Sequence, residues 1–301
     1  MIKRTEYQEG SVMKEYVIVT DNTADLPDSY YKEHGVGRLY LAYIMDGETY
    51  TAEHQLPTEE FYDKMRKGSM PTTSQVNPEN AKDYFLEILK DTKKIIYIAF
   101  SSGLSGTYNS GRVAAEEIME EHPDVQITVI DTLAASLGEG LLVYKAVEKM
   151  EQGMGYEELV KWLEANKLHL VHNFTVNDLF HLYRGGRVSK TAAILGTMIN
   201  LKPVLHVDDA GKLVAVSKVR GRKKSLATLV DNMEKQMGSY RDQNDIVMIS
   251  HGDCLEEAEY VKKLVEERFG IHKFLINPVG PTIGAHSGPG TMALFYLGEY
   301  R

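Results

Sequence analysis

The sequence predicts an α/β protein of two domains, and three observations support this fold class. Short apolar runs of strand length alternate with longer stretches that carry apolar residues at helical spacing, which is typical of a mostly parallel sheet covered by helices. The 301 residues, of which 43% are hydrophobic, suffice for one or two packed domains. The glycine-rich segment 152–155 separates a regular first half from a second half in which strands and helices are mixed.

The first half is predicted to be a mostly parallel α/β domain at 16–155, preceded by an extension at 1–15. Its predicted strands end at polar turns and lie at 16–20, 39–44, 94–100 and 126–130. Helical periodicity predicts helices at 57–67, 79–90 and 134–150, and one that follows the serine-rich segment 100–110. Thr58 is the expected cap of the first of these helices, because Glu59 and Glu60 follow it.

The second half is predicted to be a mixed α+β domain at 156–301. Its predicted helices lie at 156–165, 178–183, 192–199, 226–237 and 255–269. Its predicted strands lie at 168–174, 203–207, 213–219, 245–250 and 274–277. The second and third of these strands flank the turn Asp209-Ala-Gly211 and are expected to pair as a hairpin, whereas 280–290 is expected to be a loop.

Composition restricts the classes of function. The formal net charge of -9 argues against broad binding to nucleic acids or to anionic membranes. Cys254 is the single cysteine, so an intramolecular disulfide is excluded and a reducing, cytoplasmic location is expected. No apolar run is long enough to span a bilayer, and residues 1–15 lack the apolar core of a signal peptide. The scattered histidines lack the spacing of a zinc site, so no metal or other cofactor is expected.

The segment Phe100-Ser-Ser-Gly-Leu-Ser-Gly-Thr-Tyr-Asn-Ser110 carries the clearest functional signal. It joins a predicted strand to a predicted helix, where free backbone N–H groups and the helix dipole favour an anion. The segment also supplies hydroxyl donors and glycines that let a ligand approach the backbone, at Ser102, Ser105, Thr107, Gly103 and Gly106. Taken alone, the segment fits a simple helix cap equally well.

Three standard loop motifs are incomplete in this chain. A Walker loop needs a lysine, and none follows Gly106. The pairs Gly138-Glu-Gly140 and Gly153-Met-Gly155 lack the third glycine of a dinucleotide-binding loop. The hydrolase pattern Gly-x-Ser-x-Gly is broken because Thr107 takes its last position.

Other loops are also candidate sites. Residues 71–78 are dense in hydroxyls, although helix capping explains them better in isolation. The loop 280–290 contains His286, which suits a hydrogen bond to a carboxylate or acid–base chemistry, with a structural histidine as the alternative. Arg184 and Arg187 flank two glycines, which suits presentation of their guanidinium groups to an anion or a partner. The run 218–224 is basic and fits either a docking patch for an acidic partner or phosphate, or a solvated loop before a helix.

Taken together, these segments resemble the DegV family over nearly the whole chain from about Tyr16. The resemblance rests on seven motifs in order: Val19-Thr-Asp-Asn-Thr-Ala-Asp25, Thr72-Thr-Ser-Gln75, Ser101-Ser-Gly-Leu-Ser-Gly-Thr-Tyr-Asn109, Val129-Ile-Asp-Thr132, Arg184-Gly-Gly-Arg-Val-Ser189, Lys218-Val-Arg-Gly221 and His286-Ser-Gly-Pro-Gly290. Asn22 departs from the serine that is usual in the first motif, and the extension before Tyr16 is unmatched.

The resemblance implies a lipid-binding protein without catalysis of its own. A long-chain fatty acid such as palmitate would lie with its tail in a tunnel at the domain interface. Its carboxylate would be bound by Thr73 and Ser105 with His286 close by, and the surrounding loop residues would be Ser74, Ser102, Gly103 and Gly106. The resemblance also implies that such a protein presents the carboxylate to the ATP-binding subunit of a bacterial fatty-acid kinase, or acts in lipid transport with transient membrane contact.

Two other functions remain open from the residues alone. One is a serine acyl-hydrolase that uses Ser105 or Ser102 with His286, and the other is a binder of a sugar phosphate or nucleotide at the same helix start. Arg184, Arg187 and Arg220 are expected to dock the partner and not the ligand, because guanidinium groups in glycine-flanked turns can reach outward.

Overall fold

The computed structural model describes residues 14–189 and 200–301, which form three sheets with layers of helices between and around them. The helix predicted at 192–199 and residues 1–13 of the predicted extension lie outside the described residues.

The first sheet is parallel, as predicted, with strand order β2-β1-β6-β7. Its strands are β1 (Val17–Asp21), β2 (Gly37–Leu39), β6 (Lys94–Ala99) and β7 (Gln126–Asp131). Side chains alternate between the two faces: Val17 and Val19 pack with helices α3 (Pro78–Ile88) and α4 (Thr107–Glu121), whereas Ile18 faces the opposite side. The helix α1 (Asp28–His34) follows β1.

The second sheet is mixed and has the strand order β10-β9-β8-β13-β11-β12. Its strands are β8 (Leu170–Thr175), β9 (Leu201–Val207), β10 (Leu213–Arg220), β11 (Val247–His251), β12 (Phe274–Pro278) and β13 (Met292–Leu297). Its outer face packs on α8 (Arg222–Met237) and α9 (Leu255–Phe269). The predicted hairpin is confirmed, since β9 and β10 pair antiparallel.

A third, small antiparallel sheet joins the two halves. It consists of β3 (Tyr43–Met45), β4 (Glu48–Tyr50) and β5 (Thr72–Thr73), and it packs with α2 (Thr58–Arg66). The short helix α10 (Pro281–Ser287) of the second half places Ala285 in the same apolar cluster. The five-residue helix α7 (Phe180–Arg184) contacts α10.

The helix α5 (Leu137–Glu151) lies between the two large sheets and contacts both of them. Two glycines in its first turn make this close approach possible. A Cβ atom at Gly138 would lie 2.0 Å from Nε2 of His172 in the second sheet, and one at Gly140 would lie 2.5 Å from the Ala24 carbonyl oxygen after β1. Glu139, between them, is fully buried and accepts hydrogen bonds from the hydroxyls of Thr20 and Thr23.

The structure corrects several local predictions. The run 39–44 is not one strand, because it ends β2 at Leu39 and begins β3 at Tyr43 in a different sheet. The segment 280–290 is not only a loop, because Pro281 at its first helical position begins α10. The strand β13 was not predicted, although it lies inside the second sheet. Thr58 is not the cap of α2 but its first residue, because Pro57 occupies the capping position and makes no side-chain hydrogen bond there.

The predicted division at residue 155 remains a prediction. The helix α6 (Tyr156–Asn166), assigned from sequence to the second domain, packs on the first sheet. Its Tyr156 ring makes an edge-to-face contact with Tyr16, and its hydroxyl lies 2.6 Å from the Thr128 hydroxyl. The strands of the second sheet begin only after this helix, at Leu170.

Candidate functional site

A cavity of about 230 Å³ lies between the first sheet, the second sheet and α10. Most of its lining is apolar and comes from both halves of the chain: Leu41, Phe100, Leu104, Phe174, Leu182, Val207, Leu213, Val279, Ile283, Ala293 and Phe295. A cavity of this kind suits an apolar chain, because apolar surface on both sides of the ligand would leave water on binding.

Polar residues also line this cavity, and three separate segments supply the ones predicted from the sequence. Thr73 comes from β5, Ser105 and Gly106 come from the turn before α4, and His286 comes from the last turn of α10. Ser74 and Gln75, which follow β5, also line the cavity. The structure therefore places Thr73, Ser105 and His286, which lie far apart in the sequence, in the lining of one cavity.

The imidazole of His286 is neutral and is paired with Thr73. Its Nε2 lies 2.8 Å from Oγ1 of Thr73. Burial, with the nearby charges of Arg187 and Arg184, lowers the pKa of His286 to about 3. The buried Nδ1 has no hydrogen-bond partner and lies against Gly185, where a Cβ atom would approach to 2.1 Å.

Ser105 is held by the first residue of α4. Its Oγ lies 3.0 Å from Oγ1 of Thr107 and accepts a hydrogen bond from the Thr107 N–H at 3.2 Å. Gly106 has no space for a side chain, because the Gln75 carboxamide would lie 2.2 Å from its Cβ. The glycine thus lets Gln75 close the turn over the start of the helix.

Two of the predicted loop residues do not line the cavity. Ser102 is exposed, and its N–H donates to the Asp131 carboxylate at 3.1 Å. Gly103 instead packs against the second half, where a Cβ atom would lie 2.6 Å from the carbonyl oxygen of Ala210. Ser74 and Gly106, predicted with them, do line the cavity.

Arg184 and Arg187 do not reach outward as the sequence suggested. Arg184 donates to the carbonyl oxygens of Pro71 at 2.7 Å and Ala285 at 2.9 Å. Arg187 donates twice to the Leu104 carbonyl, at 2.9 and 3.2 Å, and also contacts the Gly185 carbonyl. Both guanidinium groups therefore connect segments of the chain itself, because orphan carbonyls at loop ends attract them.

Arg220, in contrast, is exposed at the end of β10. Lys223 and Lys224, in the first turn of α8, are also exposed, whereas Arg222 turns inward to the Glu257 carboxylate at 2.5 Å. This part of the basic run remains available at the surface.

No helix in residues 14–189 or 200–301 is long and apolar enough to cross a membrane. Within the same residues, no group of three or more His, Cys, Asp or Glu side chains is arranged to hold a metal ion.

Comparison with known proteins shows the family of this chain. Residues 15–299 match the family model described as "Uncharacterised protein, DegV family". A DegV domain-containing protein of Clostridium perfringens is 44% identical over 291 residues, covering 96% of this chain and 99% of the relative. The chain belongs to the DegV family.

Two solved DegV structures have the same fold. A protein from Thermus thermophilus, described as a fatty-acid-binding member of the DegV family, superposes with a TM-score of 0.84 at 29% identity, covering 95% of this chain and 100% of the other. DegV from Bacillus subtilis, described as a fatty-acid-binding protein, gives a TM-score of 0.82 at 28% identity, covering 95% and 99%.

Asp25, for which the sequence predicted no role, joins two elements that line the cavity of this DegV protein. Its carboxylate accepts from the Ser136 hydroxyl at 2.6 Å and from the Gly280 N–H at 2.9 Å. Ser136 precedes α5 and Gly280 precedes α10. Burial is the main cause that raises the pKa of Asp25 to about 7, and the nearby Asp21 raises it further.

This raised pKa makes stability depend on pH. The folded protein holds the Asp25 proton more tightly than the unfolded chain, whose ordinary pKa is 3.8. The contribution of Asp25 to the free energy of unfolding therefore falls as pH rises from about 4 to about 7, and is constant above that.

We expect Asp25→Asn to remove this dependence, because the amide keeps the shape of the carboxyl group and does not titrate. Urea unfolding at pH 5, 6, 7 and 8 should show the wild type losing about 1 kcal/mol per pH unit relative to the variant between pH 5 and 7. Asp83→Asn, at an exposed position, controls for the loss of one charge. Parallel curves for Asp25→Asn and the wild type would contradict the prediction.

Proposed function

We propose that this protein binds a long-chain fatty acid, with its tail in the apolar cavity and its carboxylate at Thr73 and Ser105 beside His286. The observation that carries the proposal is the lining itself, which is apolar along most of its surface and includes the neutral hydrogen-bonding groups of Thr73, Ser105 and His286. The fatty-acid-binding descriptions of the related DegV structures support the same ligand class.

Neutral groups can bind a carboxylate here because the hydroxyl hydrogens are free to turn toward it. If His286 donates from Nε2 to Thr73, the Thr73 hydroxyl keeps its own hydrogen for the ligand. This tautomer leaves a lone pair on the partnerless Nδ1, which suits the positive charges of Arg184 and Arg187 nearby. Ser105 likewise keeps its hydrogen when Thr107 donates to it.

The apolar tail supplies most of the affinity in this proposal. Burial of a methylene group contributes about 0.8 kcal/mol, so a sixteen-carbon chain offers on the order of 10 kcal/mol before ordering costs. The hydroxyls then select the carboxylate over other head groups, since a buried acceptor without donors costs free energy.

Thr73→Val and Ser105→Ala should each weaken palmitate binding by about 10- to 100-fold, because a hydrogen bond to a charged oxygen contributes about 1.5–3 kcal/mol. Isothermal titration calorimetry with delipidated protein measures the change. Ser102→Ala is the matched control, since it removes a hydroxyl of the same turn that lies outside the cavity. Unchanged affinity in Thr73→Val, in Ser105→Ala and in the double variant would remove both residues from the head-group site.

The hydrolase alternative has little support in this geometry. The Ser105 hydroxyl contacts Thr107 and not His286, so the nucleophile and the base are not paired. A pKa of about 3 makes His286 a weak base at neutral pH, and no carboxylate orients its Nδ1. The apolar lining also argues against a sugar phosphate or a nucleotide as the ligand.

We therefore expect no turnover of p-nitrophenyl palmitate above the rate in buffer, with the wild type and Ser105→Ala giving the same trace at 405 nm. Turnover that disappears in Ser105→Ala would favour the hydrolase instead. Turnover that persists in Ser105→Ala but is lost in Thr73→Val would instead identify Thr73 as the nucleophile, because its hydroxyl is the one paired with His286.

We also propose that the bound carboxylate is presented to the ATP-binding subunit of a fatty-acid kinase, in the cytoplasm, with Arg220 and the neighbouring lysines as the docking cations. Exposure of Arg220, Lys223 and Lys224 on an otherwise acidic chain supports this choice. Arg184 and Arg187 are not among these docking cations, because their guanidinium groups are bonded to carbonyl oxygens of the chain itself.

Arg220→Glu should slow acyl-phosphate formation in a mixture with the kinase subunit, and the defect should depend on salt concentration because an exposed charge pair is screened. The palmitate affinity of the isolated variant should equal that of the wild type. Lys263→Glu, an exposed reversal on α9, is the matched control. Loss of palmitate affinity in Arg220→Glu, with turnover per bound ligand preserved, would contradict the docking role.

A further inference from the structure

One buried hydroxyl at the cavity has no partner in the structure. Ser287 lines the cavity and is 6% exposed, yet its Oγ makes no hydrogen bond. Among the described residues that line this cavity, the only other buried side-chain atom without a partner is Nδ1 of His286, which is pressed against Gly185. A buried hydroxyl without a partner destabilises the fold, so its presence calls for an acceptor that enters with the ligand.

The position of Ser287 on α10 places it at the level of the head group. Five residues in and just before this helix line the cavity at helical spacing: Val279, Thr282, Ile283, His286 and Ser287. One face of the helix therefore follows the cavity. Ser287 is one residue beyond His286, a rise of about 1.5 Å along the helix axis. It lies at the end where His286 meets Thr73, and not at the end marked by Val279.

A ligand carboxylate could also accept a hydrogen bond from Ser287 in addition to those from Thr73 and Ser105. An ionised carboxylate has two oxygens with about four lone-pair sites. Thr73 and Ser105 offer one hydroxyl hydrogen each, and Nε2 of His286 is engaged with Thr73. The guanidinium groups of Arg184 and Arg187 are bonded to backbone carbonyls.

We propose that the Ser287 hydroxyl is a third donor to the ligand carboxylate, beside Thr73 and Ser105. This inference rests on the proposed fatty-acid function and extends it by one binding residue. Ser287 would therefore contribute to selection of the carboxylate and not to retention of the tail.

The test compares two ligands that share a sixteen-carbon tail, palmitate and hexadecan-1-ol, on the wild type, Ser287→Ala and Thr73→Val. In Ser287→Ala the ratio of palmitate affinity to hexadecan-1-ol affinity should fall about tenfold or more. The reason is that loss of a hydrogen bond costs a charged carboxylate more binding free energy than it costs a neutral hydroxyl. Thermal unfolding of the ligand-free Ser287→Ala protein should occur at the wild-type temperature or above it, since a partnerless hydroxyl is removed. If that variant fails to fold, Ser287→Cys keeps the volume and replaces the hydroxyl with a weak donor.

An unchanged affinity ratio in Ser287→Ala would overturn the proposal. Tighter palmitate binding in Ser287→Ala would also overturn it, because it would place the hydroxyl against the tail. The wild type and Thr73→Val test the proposed fatty-acid function independently of Ser287. If the wild type binds neither ligand, the fatty-acid function fails and this inference fails with it. If the wild type prefers palmitate and Thr73→Val loses that preference while Ser287→Ala keeps it, only the inference about Ser287 fails.

Discussion

The close contact of one helix with two sheets determines the arrangement of this protein. Helix α5 contacts the parallel sheet on one side and the mixed sheet on the other, so both halves share one apolar core. Gly138 and Gly140 allow this approach because neither position has space for a Cβ atom. The cavity lies beside the start of this helix, where Ala135 and Ser136 contribute to its lining. A larger residue at either glycine would separate the sheets and open the walls of the site.

A buried acid, Asp25, holds the start of the same helix. Asp25 holds Ser136 before α5 and Gly280 before α10, so one carboxyl group connects a wall from each half. Ser136 has φ 55° and ψ −146°, a backbone conformation that non-glycine residues rarely adopt. The hydrogen bonds of its hydroxyl to Asp25 and Ser250 offset that strain. Burial without a neighbouring cation is also what raises the pKa of Asp25.

The sequence predicted the elements with strong periodicity and the loops with unusual composition, and it failed where tertiary contacts decide. The helix at 255–269 and the β9–β10 hairpin were predicted because apolar spacing and turn residues suffice for them. The run 39–44 was read as one strand, because a local pattern does not show that its two ends join different sheets. The sequence predicts a loop where α10 lies, because Gly284 within the helix and Gly280 and Gly288 on either side of it resemble loop residues. Only the packing shows that Gly284 lies against Phe61 and Tyr62 of α2.

The residues of the candidate site also fall into those that motifs predict and those that only the structure reveals. Thr73, Ser105 and His286 could be named from motifs, and the structure brings them to one cavity. Ser102 and Gly103 belong to the same motif as Ser105, yet they lie outside the cavity because the turn directs them toward Asp131 and Ala210. Gln75 and Ser287 had no assigned role, although both stand in motifs that the sequence showed. Composition of a loop indicates the kind of ligand, whereas the direction of each side chain depends on packing across the two halves.

Arg184 and Arg187 place positive charge beside this site while their guanidinium groups are bonded to the chain itself. Arg187 lines the cavity, and its guanidinium group donates to the Leu104 carbonyl, whereas Arg184 donates to the Ala285 carbonyl. Their charge nevertheless reaches His286, whose pKa they lower together with burial. The same field would favour a carboxylate at Thr73, because charges interact over several ångströms in an environment of low dielectric constant. In the proposed function, a carboxylate bound by neutral hydroxyls within this positive field would be stabilised against desolvation. It would leave by breaking hydrogen bonds to neutral donors, which suits the proposed role of a carrier that gives up its ligand.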